Sequence, residues 1–156
     1  MLRTAVITVS DRASRGEYAD RSGPAICACL HAAYPDMAIE AVIVPDEAAA
    51  IRKALDRFAD RDWIITTGGT GIGPRDITPE VTAAFCDRPL PGIAEILRAE
   101  SYRETPAAML ARGYAGVRGR TVVVNVPGSV KAAAFCARIL TPVMAHARDM
   151  LAGKGH

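Results

Sequence analysis

The apolar positions of the chain fall into short runs separated by stretches with helical spacing. Four runs are rich in β-branched residues and almost continuously apolar: residues 5–9, 39–44, 63–67 and 121–125. This pattern predicts strands that are covered on both faces of a sheet. Helical spacing follows residue 22, residue 46 and residue 92, so strands and helices alternate. The alternation predicts an α/β three-layer sandwich with a mainly parallel central sheet.

The last third of the chain predicts further elements. Residues 113–119 predict a short strand that forms a hairpin with the fourth run and adds an antiparallel edge to the sheet. Two helices are predicted after residue 129. Ser129 caps the first, and Thr141 opens the second, with Pro142 at its first position and its end at Gly153.

Length and composition narrow the class of protein. A chain of 156 residues predicts one domain, residues 1–156. Only 5% of the residues are aromatic and the net charge is +2, which does not fit a protein that stacks on nucleic-acid bases. The four cysteines form no zinc-binding pattern, and no apolar run is long enough to span a membrane. We therefore expect a cytoplasmic protein with reduced cysteines.

Polar residues follow the end of each predicted parallel strand. In chain order they are Ser10, Asp11 and Arg12, then Pro45 and Asp46, then the glycine loop of residues 68–73, and then residues 125–129. Ligands of open α/β sheets bind beyond the carboxyl ends of the strands, where these loops meet. The sequence therefore predicts a ligand site at this edge.

The glycine loop matches neither common nucleotide-binding motif. Gly68 and Gly73 have the glycine spacing of a P-loop, but Pro74 and Arg75 stand where its lysine and hydroxyl residue are required. No register of the loop gives Gly-x-Gly-x-x-Gly. A strand that runs through consecutive glycines towards a helix start can present free amides to an anion. A plain tight turn is the alternative.

Two aspartates at this edge each have two interpretations. Asp46 is either the N-cap of the helix over residues 47–57 or a ligand-binding group. Asp76 is spare if Thr78 is the cap of the next helix and Pro79 its first residue, but Asp76 could itself be that cap. Arg75 is either a surface partner of Asp76 or a group that stabilises charge on a ligand.

Residues 66–80 resemble a motif of the molybdenum cofactor biosynthesis proteins of the MogA and MoaB type. The resemblance extends to residues 9–12, 44–46, 90–92 and 124–129. It implies a three-layer molybdopterin-binding domain that forms homotrimers or hexamers. It also implies transfer of AMP from Mg²⁺-ATP to the terminal phosphate of molybdopterin, with release of pyrophosphate, or else a non-catalytic subunit that binds molybdopterin. Handover of the product to a molybdate-inserting enzyme would follow.

The resemblance also implies roles for particular residues. Asp46 and Asp76 are the implied catalytic residues, and either is a candidate for holding Mg²⁺. The implied substrate-binding residues are Ser10, Asp11, Gly68, Gly69, Thr70, Gly71, Arg75, Asn125, Pro127, Gly128 and Ser129. The chain departs from the family at Ala111, where many members have a serine, so we predict no binding role there.

The chemistry of that reaction limits what the aspartates do. A phosphate monoester has a second pKa of about 6, so it is largely dianionic at neutral pH and needs no strong base. The carboxylates therefore fit two other roles: holding Mg²⁺ against phosphates, or accepting hydrogen bonds from a pterin ring. We assign Asp76 to the metal and phosphate side and leave Asp46 open between the two.

Overall fold

The structure, a computed structural model, describes residues 1–154 and is built around one six-stranded sheet. Its strands are β1 (Arg3–Val9), β2 (Ala38–Val44), β3 (Trp63–Thr67), β4 (Arg88–Pro89), β5 (Ala115–Arg118) and β6 (Thr121–Val126). The strand order is β2-β1-β3-β6-β5-β4. The first four in that order are parallel to one another, and β5 pairs antiparallel with both of its neighbours, β6 and β4. The predicted parallel sheet and its antiparallel hairpin are confirmed.

Helices cover both faces of the sheet. They are α1 (Asp11–Ser14), α2 (Ser22–Ala33), α3 (Ala48–Arg57), α4 (Thr78–Phe85), α5 (Pro91–Glu104), the 3₁₀ helix Pro106–Leu110 and α6 (Val130–Leu151). One core lies between the sheet and α2, α5 and α6, and the other between the sheet and α3 and α4. The three layers are confirmed. Across residues 1–154, no helix has both the length and the apolar character to cross a membrane.

Side chains of β3 alternate between the two cores because successive residues of a strand face opposite sides. Trp63 and Ile65 pack with α2 and α6, whereas Ile64 packs against the opposite face. Every residue of β3 is buried. Its central position therefore fixes the place at which the glycine loop leaves the sheet.

The two edge strands differ from the covered strands. Residues of β2 are exposed or half-buried, so the prediction that residues 39–44 are covered on both faces is wrong. The reason is position, because β2 is an outer strand with one neighbour. Glu40 of β2 forms ion pairs with Arg57 and Arg61. At the other edge, β4 has only two residues, and Pro89 has no N–H to donate.

One continuous helix follows residue 129, so the prediction of two helices is wrong. Ser129 caps α6 as expected, accepting a hydrogen bond from the Ala132 amide at 3.2 Å. Pro142 lies inside α6, and the helix ends at Leu151. Proline has no N–H for the Arg138 carbonyl four residues earlier, but the Thr141 hydroxyl donates to that carbonyl at 2.9 Å.

Packing on both sides of Pro142 keeps α6 continuous. Its buried side chains are Ala133, Cys136, Ala137, Leu140 and Met144, and they lie both before and after the proline. In addition, the Tyr34 hydroxyl donates to the Thr141 carbonyl at 2.6 Å. Tertiary burial thus outweighs the local preference of proline for a helix start.

We predict that Pro142→Ala stabilises the protein, because alanine restores the missing backbone donor at an exposed helical position. The expected gain in the free energy of unfolding is about 1–3 kcal/mol, measured by urea denaturation. The control is Val143→Ala, at the next exposed position, which should change stability by less than about 0.5 kcal/mol. A loss of stability in Pro142→Ala would contradict this account of the helix.

Candidate active site at the carboxyl ends of the strands

The glycine loop is a constrained structure that only glycine can form at two positions. Gly68 has φ +99° and Gly69 has φ +67°, in the left-handed region. A Cβ atom on Gly68 would lie 2.3 Å from the Val9 carbonyl oxygen, and one on Gly69 would lie 2.3 Å from Oγ1 of Thr78. The loop is therefore held against β1 and α4 and is not a plain flexible turn.

The carbonyl groups of the loop are hydrogen-bonded one after another. The Thr78 hydroxyl donates to Gly68 O at 3.0 Å, and the Thr78 amide donates to Gly69 O at 3.1 Å. Arg112 supplies the next two bonds: its amide donates to Thr70 O at 2.8 Å and its Nε to Gly71 O at 2.7 Å.

Most amide groups of the loop, unlike its carbonyl groups, form no hydrogen bond within the described part of the protein. Counting partners among residues 1–154 only, the N–H groups of four consecutive residues meet no acceptor: Gly69, Thr70, Gly71 and Ile72. A row of unpaired amides beside left-handed glycines makes a concavity suited to an anion. The loop therefore presents hydrogen-bond donors of the kind that bind a phosphate.

Asp46 does not cap α3. The N-cap residue is Glu47, and no side chain accepts a hydrogen bond there. Instead, Asp46 Oδ2 accepts from the Asp11 amide at 2.9 Å, while the Asp46 amide donates to Asp11 Oδ1 at 3.0 Å. The capping interpretation is wrong because this reciprocal pair, which joins the ends of β1 and β2, takes the carboxylate away from the helix.

Arg75 binds Asp11 and not Asp76. Its Nε lies 2.6 Å from Asp11 Oδ2 and its Nη2 lies 3.1 Å from Asp11 Oδ1, with a further bond from Nη2 to the Asp46 carbonyl at 3.2 Å. The hydrogen bond from Arg75 lowers the pKa of Asp11. The alternative that Arg75 pairs with Asp76 is therefore wrong, and Arg75 instead neutralises the first aspartate of this edge.

The Asp76 side chain is hydrogen-bonded to the glycine loop and not to the N-terminus of α4. Its Oδ2 accepts from the Gly73 amide at 2.9 Å. A Cβ atom on Gly71 or Gly73 would lie 2.9 Å from the same oxygen. The N-cap residue of α4 is Ile77, without a side-chain cap. The alternative that Asp76 caps the helix is therefore wrong, and so is the prediction that Thr78 does.

The two aspartates stand at opposite ends of the loop. Asp46 Oδ1 would be 3.0 Å from a Cβ atom on Gly69, whereas Asp76 meets Gly71 and Gly73. Burial raises the pKa of Asp46, and the negative charges of Asp11 and Asp76 raise it further. The loop amides therefore lie between two carboxylates that repel each other.

Asn125 is committed to the protein interior. Its Nδ2 donates to the hydroxyls of Thr66 and Thr82 at 2.8 and 2.9 Å, and its Oδ1 accepts from the Tyr114 amide at 3.1 Å. The residue is only 3% exposed. Both donors of this side chain are in use, so it ties β6 to β3 and α4 rather than presenting a free amide to a ligand.

The other predicted binding residues surround the loop. Thr67 Oγ1 donates to Pro127 O at 2.8 Å, and a Cβ atom on Gly128 would lie 3.2 Å from Gly68 Cα. The hydroxyls of Ser10 and Ser129 cap α1 and α6, accepting from main-chain amides at 3.1 and 3.2 Å. The turn after β6 therefore packs on the loop, and both serines mark helix starts at the same edge.

Two adjoining cavities open at the loop. The first, of about 370 Å³, is lined by residues 68–71, Asp76, Ala107, Leu110, Ala111, Pro127 and Gly128. The second, of about 210 Å³, lies between the loop, α5 and α6 and has mainly apolar walls. They share Thr70, Ala107, Ala111 and Pro127. Ala111, for which no role was predicted, thus lies at their junction.

Metal ligands are sparse at this edge. Within the part of the chain that the structure describes, no group of three or more His, Cys, Asp or Glu side chains is arranged to hold a metal ion. Asp11 is occupied by Arg75 and by the Asp46 amide. A cation here would need a substrate to complete its coordination, as Mg²⁺ commonly does with phosphates.

Sequence reasoning missed Arg112 as a residue of this site. Its side chain donates to the carbonyls of Gly71 and Asp76 at 2.7 Å each and pairs with Glu80. These partners lie 32 to 41 residues earlier in the chain. No local pattern around residue 112 could have indicated contacts at such separations.

Comparisons with known proteins agree on one family. Residues 5–146 match a family model described as "Probable molybdopterin binding domain". A molybdopterin adenylyltransferase of Helicobacter pylori is 38% identical over 152 residues, which cover 95% of this chain and 86% of that protein. The solved molybdopterin biosynthesis enzyme MoaB of Thermus thermophilus has a TM-score of 0.89, 44% identity and 98% coverage of both chains. A tungsten cofactor synthesizing MoaB of Pyrococcus furiosus has a TM-score of 0.84 at 36% identity, covering 95% of this chain and 98% of that one.

We predict that Gly68→Ala distorts the loop, because the new Cβ would collide with the Val9 carbonyl and alanine disfavours this φ. The expected loss of stability is about 1–3 kcal/mol in thermal or urea unfolding. Gly92→Ala is the matched control, since no atom lies within 4 Å of its added Cβ. Equal stability of the two variants would contradict the constrained loop.

We predict that Asp46→Asn is more stable than the wild type at pH 7. Folding raises the pKa of Asp46, so its ionisation costs more in the folded state, and stability is lost as the pH rises through the folded pKa. The advantage of the variant should disappear below about pH 3, where the aspartic acid is neutral in both states. Melting temperatures across pH measure this effect. Asp36→Asn, at an exposed position near the opposite end of β2, is the control and should show no such advantage.

Proposed function

Since this chain belongs to the family of molybdopterin-binding domains, we propose that it is a molybdopterin adenylyltransferase of molybdenum cofactor biosynthesis. The reaction transfers AMP from ATP to the terminal phosphate of molybdopterin and releases pyrophosphate. The observation that carries the proposal is the row of four amides at residues 69–72, which meet no acceptor in the described part of the chain and are flanked by Asp46 and Asp76.

The loop amides supply what phosphoryl-group chemistry demands. Negative charge is spread over the oxygens of the transferring phosphate, and fixed donors stabilise it without rearranging during the reaction. Gly68 and Gly69 hold the loop in a conformation that other residues rarely adopt. The loop therefore enters the reaction preorganised, and catalysis consists mainly of positioning two phosphates in line.

Neither aspartate is required as a base. The attacking phosphate monoester is largely dianionic at neutral pH. A carboxylate next to a polyphosphate would repel it unless a cation or a hydrogen-bond donor lay between them. Asp46 and Asp76 therefore act by holding such a group.

The residues at the loop fit Mg²⁺ when substrate phosphates share it. Asp46 Oδ2 and Asp76 Oδ2 each accept one amide, so one oxygen of each carboxylate remains for a cation. Asp76 would hold the ion on the phosphate side, and Asp46 would either share the ion or accept hydrogen bonds from the pterin ring. Bound Mg²⁺ would neutralise charge on the phosphates, which is its usual role in phosphoryl transfer.

The apolar cavity of about 210 Å³ gives the heterocycle of one substrate a place beside the loop. Flat rings favour enclosed apolar walls with a few polar groups. Arg98, Ser101 and Thr105 are among the polar residues that line this cavity. Because Thr70 lines both cavities, a ring in this one would be continuous with phosphates at the amides.

Further properties of the chain are inferred in the same way. We infer that residues 1–156 form one domain, which the single sheet of residues 1–154 supports. Residues 155 and 156 lie outside the described part. The cytoplasmic location stays a prediction from the cysteines and the short apolar runs. The homotrimer or hexamer and the handover to a molybdate-inserting enzyme stay predictions of the family resemblance.

The test is a product assay with protein, Mg²⁺-ATP and molybdopterin, which should yield adenylylated pterin and pyrophosphate in equal amounts. Asp76→Asn should lower kcat by about 100-fold or more while molybdopterin binding largely survives, because the charge that holds the cation is lost. Asp36→Asn is the matched control and should keep wild-type turnover.

Three outcomes would count against the proposal or its assignment. Tight molybdopterin binding without pyrophosphate release would favour a non-catalytic binding subunit. ATP consumption that does not depend on molybdopterin would favour a nucleotide hydrolase. Unchanged turnover in Asp76→Asn would contradict the role given to that residue.

A further inference from the structure

We propose that Arg112 is a positioning residue that turns the amides of the glycine loop towards the bound phosphate. It reaches the loop from the segment after the 3₁₀ helix Pro106–Leu110, on the side occupied by the loop carbonyls. The consequence of this role for catalysis rests on the proposed function. The effect on anion binding by the loop does not depend on that reaction.

Arg112 makes four contacts around the loop. Its amide donates to Thr70 O at 2.8 Å, its Nε donates to Gly71 O at 2.7 Å, and its Nη2 donates to Asp76 O at 2.7 Å. Its Nη1 pairs with the Glu80 carboxylate on α4. Arg112 therefore connects the middle of the loop, the main chain of Asp76 and helix α4.

Peptide geometry converts these carbonyl contacts into amide direction. A trans peptide is planar, and its C=O and the N–H that follows point in opposite directions. When Arg112 holds the carbonyls of Thr70 and Gly71, the N–H groups of Gly71 and Ile72 must point to the other side. Those N–H groups belong to the unpaired row. Arg112 thus orients half of the donors that we assign to phosphate.

The charge of Arg112 is already balanced within the protein. The hydrogen bond between Arg112 and Glu80 raises the pKa of the arginine and lowers that of the glutamate. Each of its three side-chain nitrogens has a protein partner. The effect of Arg112 on an anion is therefore exerted through the loop and not through direct contact.

Lysine cannot replace this arrangement. The guanidinium is a flat fork whose edges reach two carbonyls at fixed angles, whereas an ammonium is a single point on a flexible chain. Arg112→Lys keeps the positive charge and the main-chain bond to Thr70 O, but its single ammonium cannot hold Gly71 O and Asp76 O together. This substitution separates positioning from simple electrostatics.

The experiment measures pyrophosphate binding by calorimetry and by the amide resonances of Gly71 and Ile72. Wild-type protein should bind and shift both resonances. Arg112→Lys should bind about 5- to 50-fold more weakly, because misdirected donors lose preorganised binding. Arg103→Lys is the matched control, since Arg103 is 76% exposed on α5, and it should bind as the wild type does.

Two results would overturn the proposal. One is wild-type affinity in Arg112→Lys, which would leave Arg112 only a charge. The other is wild-type protein in which pyrophosphate moves neither amide resonance. The melting temperature of Arg112→Lys is measured alongside, so that weaker binding in a folded variant is distinguished from unfolding.

Turnover then separates this inference from the proposed function. With an active wild type, Arg112→Lys should lower kcat more than it raises the KM for molybdopterin, because molybdopterin binding does not depend on the loop amides alone. If the wild type makes no adenylylated pterin, the proposed function fails. The pyrophosphate measurement still confirms or overturns the role of Arg112.

Discussion

The candidate site depends on a loop in which the carbonyls are hydrogen-bonded while four consecutive amides, at residues 69–72, meet no acceptor among residues 1–154. From Gly68 to Gly71, each carbonyl accepts a hydrogen bond from Thr78 or Arg112. A buried or confined main chain normally satisfies both kinds of group. Here the loop carbonyls accept hydrogen bonds from the protein, whereas the loop amides stay available to donate to a ligand. The capacity to bind an anion results from this difference.

The charges around the loop follow the same division of labour. Arg75 compensates Asp11, and Arg112 compensates Glu80, so both arginines are used within the protein. Among residues 1–154, neither Asp46 nor Asp76 forms an ion pair, and burial together with the negative charges of Asp11 and Asp76 raises the pKa of Asp46. The fold therefore keeps its unfavourable charge at one place, where a cation or a pterin ring would relieve it.

Local patterns predicted most of the fold, and separations along the chain explain what they missed. Each parallel strand and the polar residues that follow it are adjacent in the sequence. The ligand-binding edge of the sheet was therefore predictable. The capping alternative for Asp46 stayed open in the sequence because its partner, Asp11, lies 35 residues earlier. Arg112 was missed for the same reason. The continuous α6 depends on burial on both sides of Pro142, which no local rule for proline includes.

The unequal edges of the sheet have a consequence for encounters between chains. A strand added at β4 would meet Pro89, which offers no donor, after only two residues. At the opposite edge, β2 has seven residues that could pair with an added strand. The charged side chains there are Glu40 and its ion-pair partners Arg57 and Arg61, which disfavour such pairing. Resistance to edge-to-edge self-association is therefore built from backbone chemistry on one side and from three surface charges on the other. Only the protection by charges weakens as the salt concentration rises.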